Sequence, residues 1–207
     1  MIYFDIETKP LPVEQCLPFM PKFEAPGNYK DPAVIAKNIA EQEARWLEKA
    51  ALSPFTGAIL AIGYKEAGTD DVTVAHGENE KLVLSQFLDD CGDVATLPLV
   101  GWNIVGFDLP FICKRAWMHG LKVPLRWRQS KPWDGTIIDL MVEWQCGDRK
   151  AAFTGLDAAA RFLGFEGKTG DFGAMFSDLY ASDQPAALEY LVRDVELVEA
   201  VHGRIFA

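Results

Sequence analysis

With 207 residues, of which 49% are hydrophobic and 24% charged, the chain has the composition of a globular protein with a sizeable core. No apolar run approaches the roughly 20 residues of a membrane span, and the first apolar stretch is broken by acids and has no basic leader, so no membrane role and no signal peptide are expected and the expected compartment is cytoplasmic. The net charge of −10 excludes broad coating of nucleic acid, and four scattered cysteines without a C-x-x-C pair speak against a zinc site or a disulfide framework.

Met1–Pro12 opens as a run of strand-forming residues and is stopped by Pro10 and Pro12. Side chains alternate along a strand, so Asp5 and Glu7 project from one face while Phe4 and Ile6 enter the other. Two such carboxylates are either solvated on an exposed edge or share one ligand sphere, where their repulsion calls for a cation or a shared proton. Residues 13–32, with four prolines, read as a long loop, and 33–52 as a helix with Ile35, Ile39, Trp46, Leu47 and Ala50 on one side. Thr56–Tyr64 and Asp71–His76 read as a hairpin turning at Gly68. Asn79–Cys91 is a helix by its spacing, and Leu97–Trp102 a buried strand.

Asp108 ahead of Pro110 is expected to cap a helix that ends at Gly120. Within 133–146, the apolar segment Ile137–Val142 reads as a short strand leading into a helix. Thr154 with Asp157 resembles a capping box for a helix ended by Gly164. Asp183 and Pro185 open a last helix towards Phe206, with Leu188, Leu191, Val195 and Val198 as its core stripe and Tyr190 and Asp194, four apart, on a stripe beside it. There is no internal repeat or interdomain linker, so the expectation is one α/β domain over 1–207 with an added loop-plus-helix excursion at 13–54.

Asp5-x-Glu7 on the first strand, Asn103-x-x-x-Phe107-Asp108 after the mid-chain strand and Tyr190-x-x-x-Asp194 on the last helix resemble, in that order, the three motifs of the DEDD exonucleases, the tyrosine marking the DEDDy branch. Any one of these patterns is common by chance; three in order are not. The wider pattern is similar to the proofreading exonuclease domains of family-B DNA polymerases and their stand-alone relatives. It extends through Phe4-Asp5-Ile6-Glu7-Thr8, Gly155-Leu156-Asp157, Leu163-Gly164 and Gly167-Lys168, nearly the whole chain. The other main branch carries a histidine five residues before the last aspartate, where this chain has Glu189. The departure from the family pattern is the insertion at 13–54.

This resemblance implies a ribonuclease H-like fold, a mixed five-stranded sheet flanked by helices with an insertion after the first strand. It implies a metal-dependent 3′–5′ exonuclease, a hydrolase acting on the 3′ end of single-stranded DNA and releasing nucleoside 5′-monophosphates. Two ions, Mg²⁺ or Mn²⁺, would be held by Asp5, Glu7 and Asp194 at the first position and by Asp5 with Asp108 at the second. Tyr190 would orient the attacking water, since its ordinary pKa of about 10 makes it a poor base. Thr8, Asn103 and Phe107 would contact the substrate strand. Between Leu109 and Trp133 there is no acid, while Lys114, Arg115, Lys122, Arg126, Arg128 and Lys131 interleave with Trp117, Trp127 and Trp133. Phosphate contacts and base stacking are expected there, chiefly at Lys114 and Arg115; the alternative is core tryptophans and solvated cations. Two other readings stay open: an RNA-trimming enzyme like ribonuclease D, and a non-catalytic module that docks a protein partner through residues 13–54. Loss of one of the five motif residues would favour the module, but all five are present.

Overall fold

A computed structural model of the chain describes residues 1–92, 97–129, 135–148, 150–167 and 176–207; Lys131, Trp133 and Lys168 lie outside them. The chain forms two compact units, Met1–Glu7 with Ile59–Ala207, and Thr8–Ala58. The strands are β1 (Ile2–Pro10), β2 (Gly57–Glu66), β3 (Thr73–His76), β4 (Leu99–Gly101) and β5 (Ile137–Asp139). The helices are α1 (Val13–Cys16), α2 (Pro32–Glu48), α3 (Glu80–Gly92), α4 (Asp108–Met118), α5 (Leu125–Gln129), α6 (Leu140–Trp144), α7 (Leu156–Phe162), α8 (Phe176–Ser182) and α9 (Gln184–Ile205).

The strands form one mixed sheet in the order β3-β2-β1-β4-β5. β2 and β3 are the expected antiparallel hairpin, while β4 lies parallel to both β1 and β5. Alternation along β1 serves two cores. Ile2, Phe4 and Ile6 pack with Leu84 and Phe87 of α3 and Ile112 of α4, and Tyr3 packs with Val100, Val195 and Val198 on the other face. Asp5 and Glu7 continue the row of Tyr3, towards the α9 side. Gly63 of β2 also faces α9: a Cβ there would come within 2.9 Å of Leu191 Cγ and 3.0 Å of Val195 Cγ2, so the missing side chain lets the helix lie close on the sheet.

Asp183 caps α9 by accepting from the Ala186 N–H at 3.2 Å, with Pro185 in the first turn, as the sequence leads one to expect. Its buried stripe is Ala187, Tyr190, Leu191, Asp194, Val195, Val198 and Val201. Asp194 therefore stands inside the apolar stripe rather than beside it, and Ala187 replaces the half-buried Leu188 in the core. α4 ends as expected: Gly120, with φ of +70°, donates to Trp117 O and the next residue, Leu121, donates to Ala116 O. Its start differs from expectation, because Phe107 is the cap and Asp108 the first helical residue. The capping box at Thr154 does not form either. Gly155 takes the cap position, Asp157 pairs with Arg161 at 2.9 Å, and the Thr154 carbonyl accepts from Trp102 Nε1 at 2.8 Å. The helix α8 was not expected at all. Among the described residues, no helix is long and apolar enough to cross a membrane.

In the Thr8–Ala58 unit, Asp31 caps α2 by accepting from the Ala33 N–H at 2.8 Å. The α2 side chains Ile35, Ile39, Trp46 and Leu47 are half-buried and none is fully buried. Residues 13–32, expected as loop, hold α1 and a 3₁₀ turn at Leu17–Phe19. Cys16 is fully buried, and its thiol faces the carbonyls of Leu11 and Thr56. Phe19 and Phe55 lie with ring centroids 5.5 Å apart beside a cavity of about 420 Å³ also lined by Trp46, Lys49 and Leu52.

Candidate active site

One carboxylate oxygen from each of Asp5, Glu7 and Asp194 lies within 4.8 Å of the other two. Two come from one face of β1 and the third from the buried stripe of α9. Glu7 and Asp194 are 7% and 1% exposed, so water screens them poorly. Three carboxylates this close, two of them buried and Asp5 half-buried, suit a hard cation with oxygen ligands, and the donor set holds no nitrogen or sulfur that would favour a softer metal.

Asp108 stands next to this cluster, at the start of α4. Burial pushes its carboxyl well above the usual carboxylate range, the charge of Asp5 pushes it further, and the backbone N–H groups of Asp108 and Ile6 pull it back only in part. Its Oδ1 is buried and has no hydrogen-bond partner among the described residues. An unsatisfied buried carboxylate oxygen beside other acids fits a position left for a cation. Tyr190 is one turn before Asp194 on α9 and 7% exposed, its ring near Phe176 and in a cluster with Leu60 and Leu191.

A further aspartate, which the sequence reading missed, organises the approach to Asp108. Asp139 ends β5 and is buried; its Oδ1 accepts from the N–H groups of Asn103 (2.9 Å) and Met141 (3.0 Å), and its Oδ2 from that of Val105 (2.9 Å). Burial raises its carboxyl above the ordinary value, against the lowering effect of these N–H groups. Asn103 itself adopts the left-handed conformation at φ of +61°, where the chain turns out of β4 towards α4. The sequence signal for Asp139 was present, as an acid between an apolar strand and a helix, but that is also what any helix cap looks like: Asp139 does cap α6.

The other expected substrate contacts separate. Asn103 and Phe107 are half-buried in the turn before Asp108, with Phe107 5.5 Å from the ring of Phe111. Thr8 belongs to the Thr8–Ala58 unit, where its hydroxyl donates to the Ala51 carbonyl at 2.8 Å. Lys114 is exposed and borders a cavity on α4. Arg115, expected to meet phosphate, points inwards instead. It is 7% exposed and its guanidinium grips Glu80 with contacts of 2.6 to 3.1 Å, while His119 reaches the same carboxylate at 2.7 Å. Glu80 also accepts from the Ile59 N–H at 2.7 Å, so Arg115 is a structural tie between α4, α3 and β2.

A comparison with curated proteins gives no significant match. Among solved structures, the family B DNA polymerase from the hyperthermophilic archaeon Pyrobaculum calidifontis aligns with 99% of this chain at a TM-score of 0.64 and 18% identity. The chain spans 24% of the length of that polymerase. The likeness shows the fold, α/β and ribonuclease H-like, with a mixed five-stranded sheet flanked by helices. A family model described as a predicted 3′-5′ exonuclease related to the exonuclease domain of PolB matches residues 56–196, the span that holds Asp108, Tyr190 and Asp194. With most of its length matched by that model, the chain belongs to the predicted 3′–5′ exonucleases related to the exonuclease domain of PolB.

Proposed function

We propose that the protein removes nucleotides from the 3′ end of single-stranded DNA by hydrolysis, releasing nucleoside 5′-monophosphates. The observation that carries this reading is the cluster of half-buried Asp5 with buried Glu7 and Asp194, and Asp108 beside it. Asp5, Glu7 and Asp194 would hold one Mg²⁺ or Mn²⁺, and Asp5 with Asp108 a second. Such ions, when bound, supply Lewis acidity and a more acidic water. The chain's own part is placement. The acids would hold the ions, which would bind the scissile phosphate, beside β1, and the turn held by Asp139 helps to position Asp108.

Tyr190 is a hydroxyl that can orient the attacking water rather than take its proton outright. Water oxygen bonds to phosphorus, the bond from phosphorus to the 3′ oxygen of the preceding nucleotide breaks, and that oxygen is protonated to a free 3′-hydroxyl. The result is a strand one residue shorter.

The test is digestion of 5′-labelled single-stranded DNA and RNA with Mg²⁺, Mn²⁺ or chelator. The expected result is a ladder descending from the 3′ end of DNA, abolished by chelator and by Asp194→Asn. Preferential shortening of RNA would make the enzyme a ribonuclease, and intact strands under all conditions would leave a non-catalytic module.

A further inference from the structure

Beside the turn that carries Asp108 lies a cavity of about 380 Å³, within the range of small-ligand sites. Its walls begin at Val105 and Leu109, on either side of Asp108 in the chain. α4 contributes Leu109, Cys113 and Trp117 at successive turns, α5 contributes Trp127, and Ile137 and Val142 close the opposite side. Two observations mark it as more than a packing defect. Trp117 leaves a large ring 52% exposed on its rim. Trp127 is 4% exposed, yet its indole N–H has no acceptor among the described residues, although buried indoles ordinarily find one. The cations and acids on the walls are also segregated: Lys114 and Arg128 stand on the α4 and α5 side, Asp139 and Glu143 on the β5 and α6 side.

We propose that this cavity is a subsite for an unpaired nucleobase of the substrate strand, upstream of the terminal nucleotide; the proposal rests on the exonuclease reading above. The apolar walls and the two tryptophans suit a flat aromatic ring. A nucleobase edge carries hydrogen-bond donors, which the Glu143 carboxylate complements. Its phosphate belongs on the side of Lys114 and Arg128, away from the acids. A paired base would have its edge occupied and could not enter, so the subsite favours single strands.

The test is binding of a 5′-fluorescein thymidine hexamer in chelator, read by anisotropy, to the parent protein, Trp117→Ala and Arg128→Ala. Trp117→Ala, a change at an exposed rim position, is expected to weaken binding about tenfold, the scale of one base–aromatic stack. Arg128→Ala is expected to lower the salt slope of binding by about one. Hexamers with a single abasic site give the second readout: at one internal position the parent loses a comparable factor, and Trp117→Ala adds little to it. Unchanged affinity in Trp117→Ala, or indifference of the parent to every abasic position, overturns the proposal. Turnover of the p-nitrophenyl ester of thymidine 5′-monophosphate by the parent, a substrate with no upstream base, tests the chemistry separately. Ester hydrolysis with unchanged hexamer binding rejects the subsite and keeps the exonuclease; weakened hexamer binding without ester hydrolysis does the reverse.

Discussion

Replacing Asp139 by asparagine tests how Asp108 is held in place. The parent carboxylate accepts three backbone N–H bonds, two at Oδ1 and one at Oδ2, all between 2.9 and 3.0 Å. Asparagine keeps the shape but has only one acceptor atom. With its oxygen in the Oδ1 position it retains Asn103 and Met141, and its NH₂ group then meets the N–H of Val105. A buried N–H without an acceptor costs about 1–3 kcal/mol, and Val105 is an exposed residue in a part-buried bond, so the lower end applies. The loss of a buried charge gives some of this back, because burial already raises the carboxyl above its ordinary value. A net destabilisation of up to about 1 kcal/mol is expected, roughly 2–4 °C in Tm for a chain of this size. Urea unfolding measures it directly. The rate on a 3′-labelled oligomer should fall by more than the folded fraction does, since the turn from Asn103 to Phe107 loses the contact that fixes where α4 begins. If Asp139→Asn matches the parent in both stability and rate, these hydrogen bonds do not position Asp108 and the argument fails.

Millimolar Mg²⁺ or Mn²⁺ should raise the Tm of the parent, by about 2.7 kcal/mol of stability at a hundredfold excess over Kd. Asp5→Asn, Glu7→Gln and Asp194→Asn should lose that shift while melting no lower than the parent in chelator, because each removes repulsion from the metal-free cluster; a markedly lower metal-free Tm in all three would make these acids structural. Tyr190→Phe keeps the ring packing and should lower the rate by less than the roughly 100-fold of a lost general acid–base group; a single-turnover assay at limiting metal that finds full activity removes Tyr190 from the mechanism. Glu80→Gln leaves Arg115 buried beside a neutral side chain and should cost about 3–5 kcal/mol at pH 7 by urea unfolding. Burial raises the Glu80 carboxyl, but bonds from Arg115, His119 and the Ile59 N–H outweigh it and hold the value below normal. Its stabilising contribution is therefore present above the ordinary carboxylate range and lost as pH falls through the lowered value, so the parent should lose stability in acid along a limb that is flatter in the variant.

The three-motif pattern singled out Asp5, Glu7, Asp108 and Asp194, and the fold brings them together, because short motifs keep their spacing whatever surrounds them. β1, the hairpin and α9 were legible from alternation and from strong caps. What escaped depends on partners far away in sequence. Arg115 and Lys114 are adjacent and equally basic, and only the position of Glu80, 35 residues earlier, sends one inwards and leaves the other at the surface. Asp139 was hidden by its ordinary role as a cap. The box at Thr154 failed because a glycine at the cap position and an Arg161 partner for Asp157 compete with it. α1 and α8 span four and seven residues, too few for a helical period to show.

The close seat of α9 against Gly63 makes a residue with no chemistry a determinant of where Asp194 stands relative to β1. A methyl group at this position must push Leu191 and Val195 away by a few tenths of an ångström. Asp194 is on the same turn of helix as those two residues, whereas Asp5 and Glu7 belong to β1, so a shift of that turn is expected to change the distance between them. If the acids hold an ion as proposed, Gly63→Ala is expected to weaken its binding with every acid intact, which a metal titration read by Tm would show. On the function proposed above, a change on β2 would thus alter the spacing of the acids without replacing any of them.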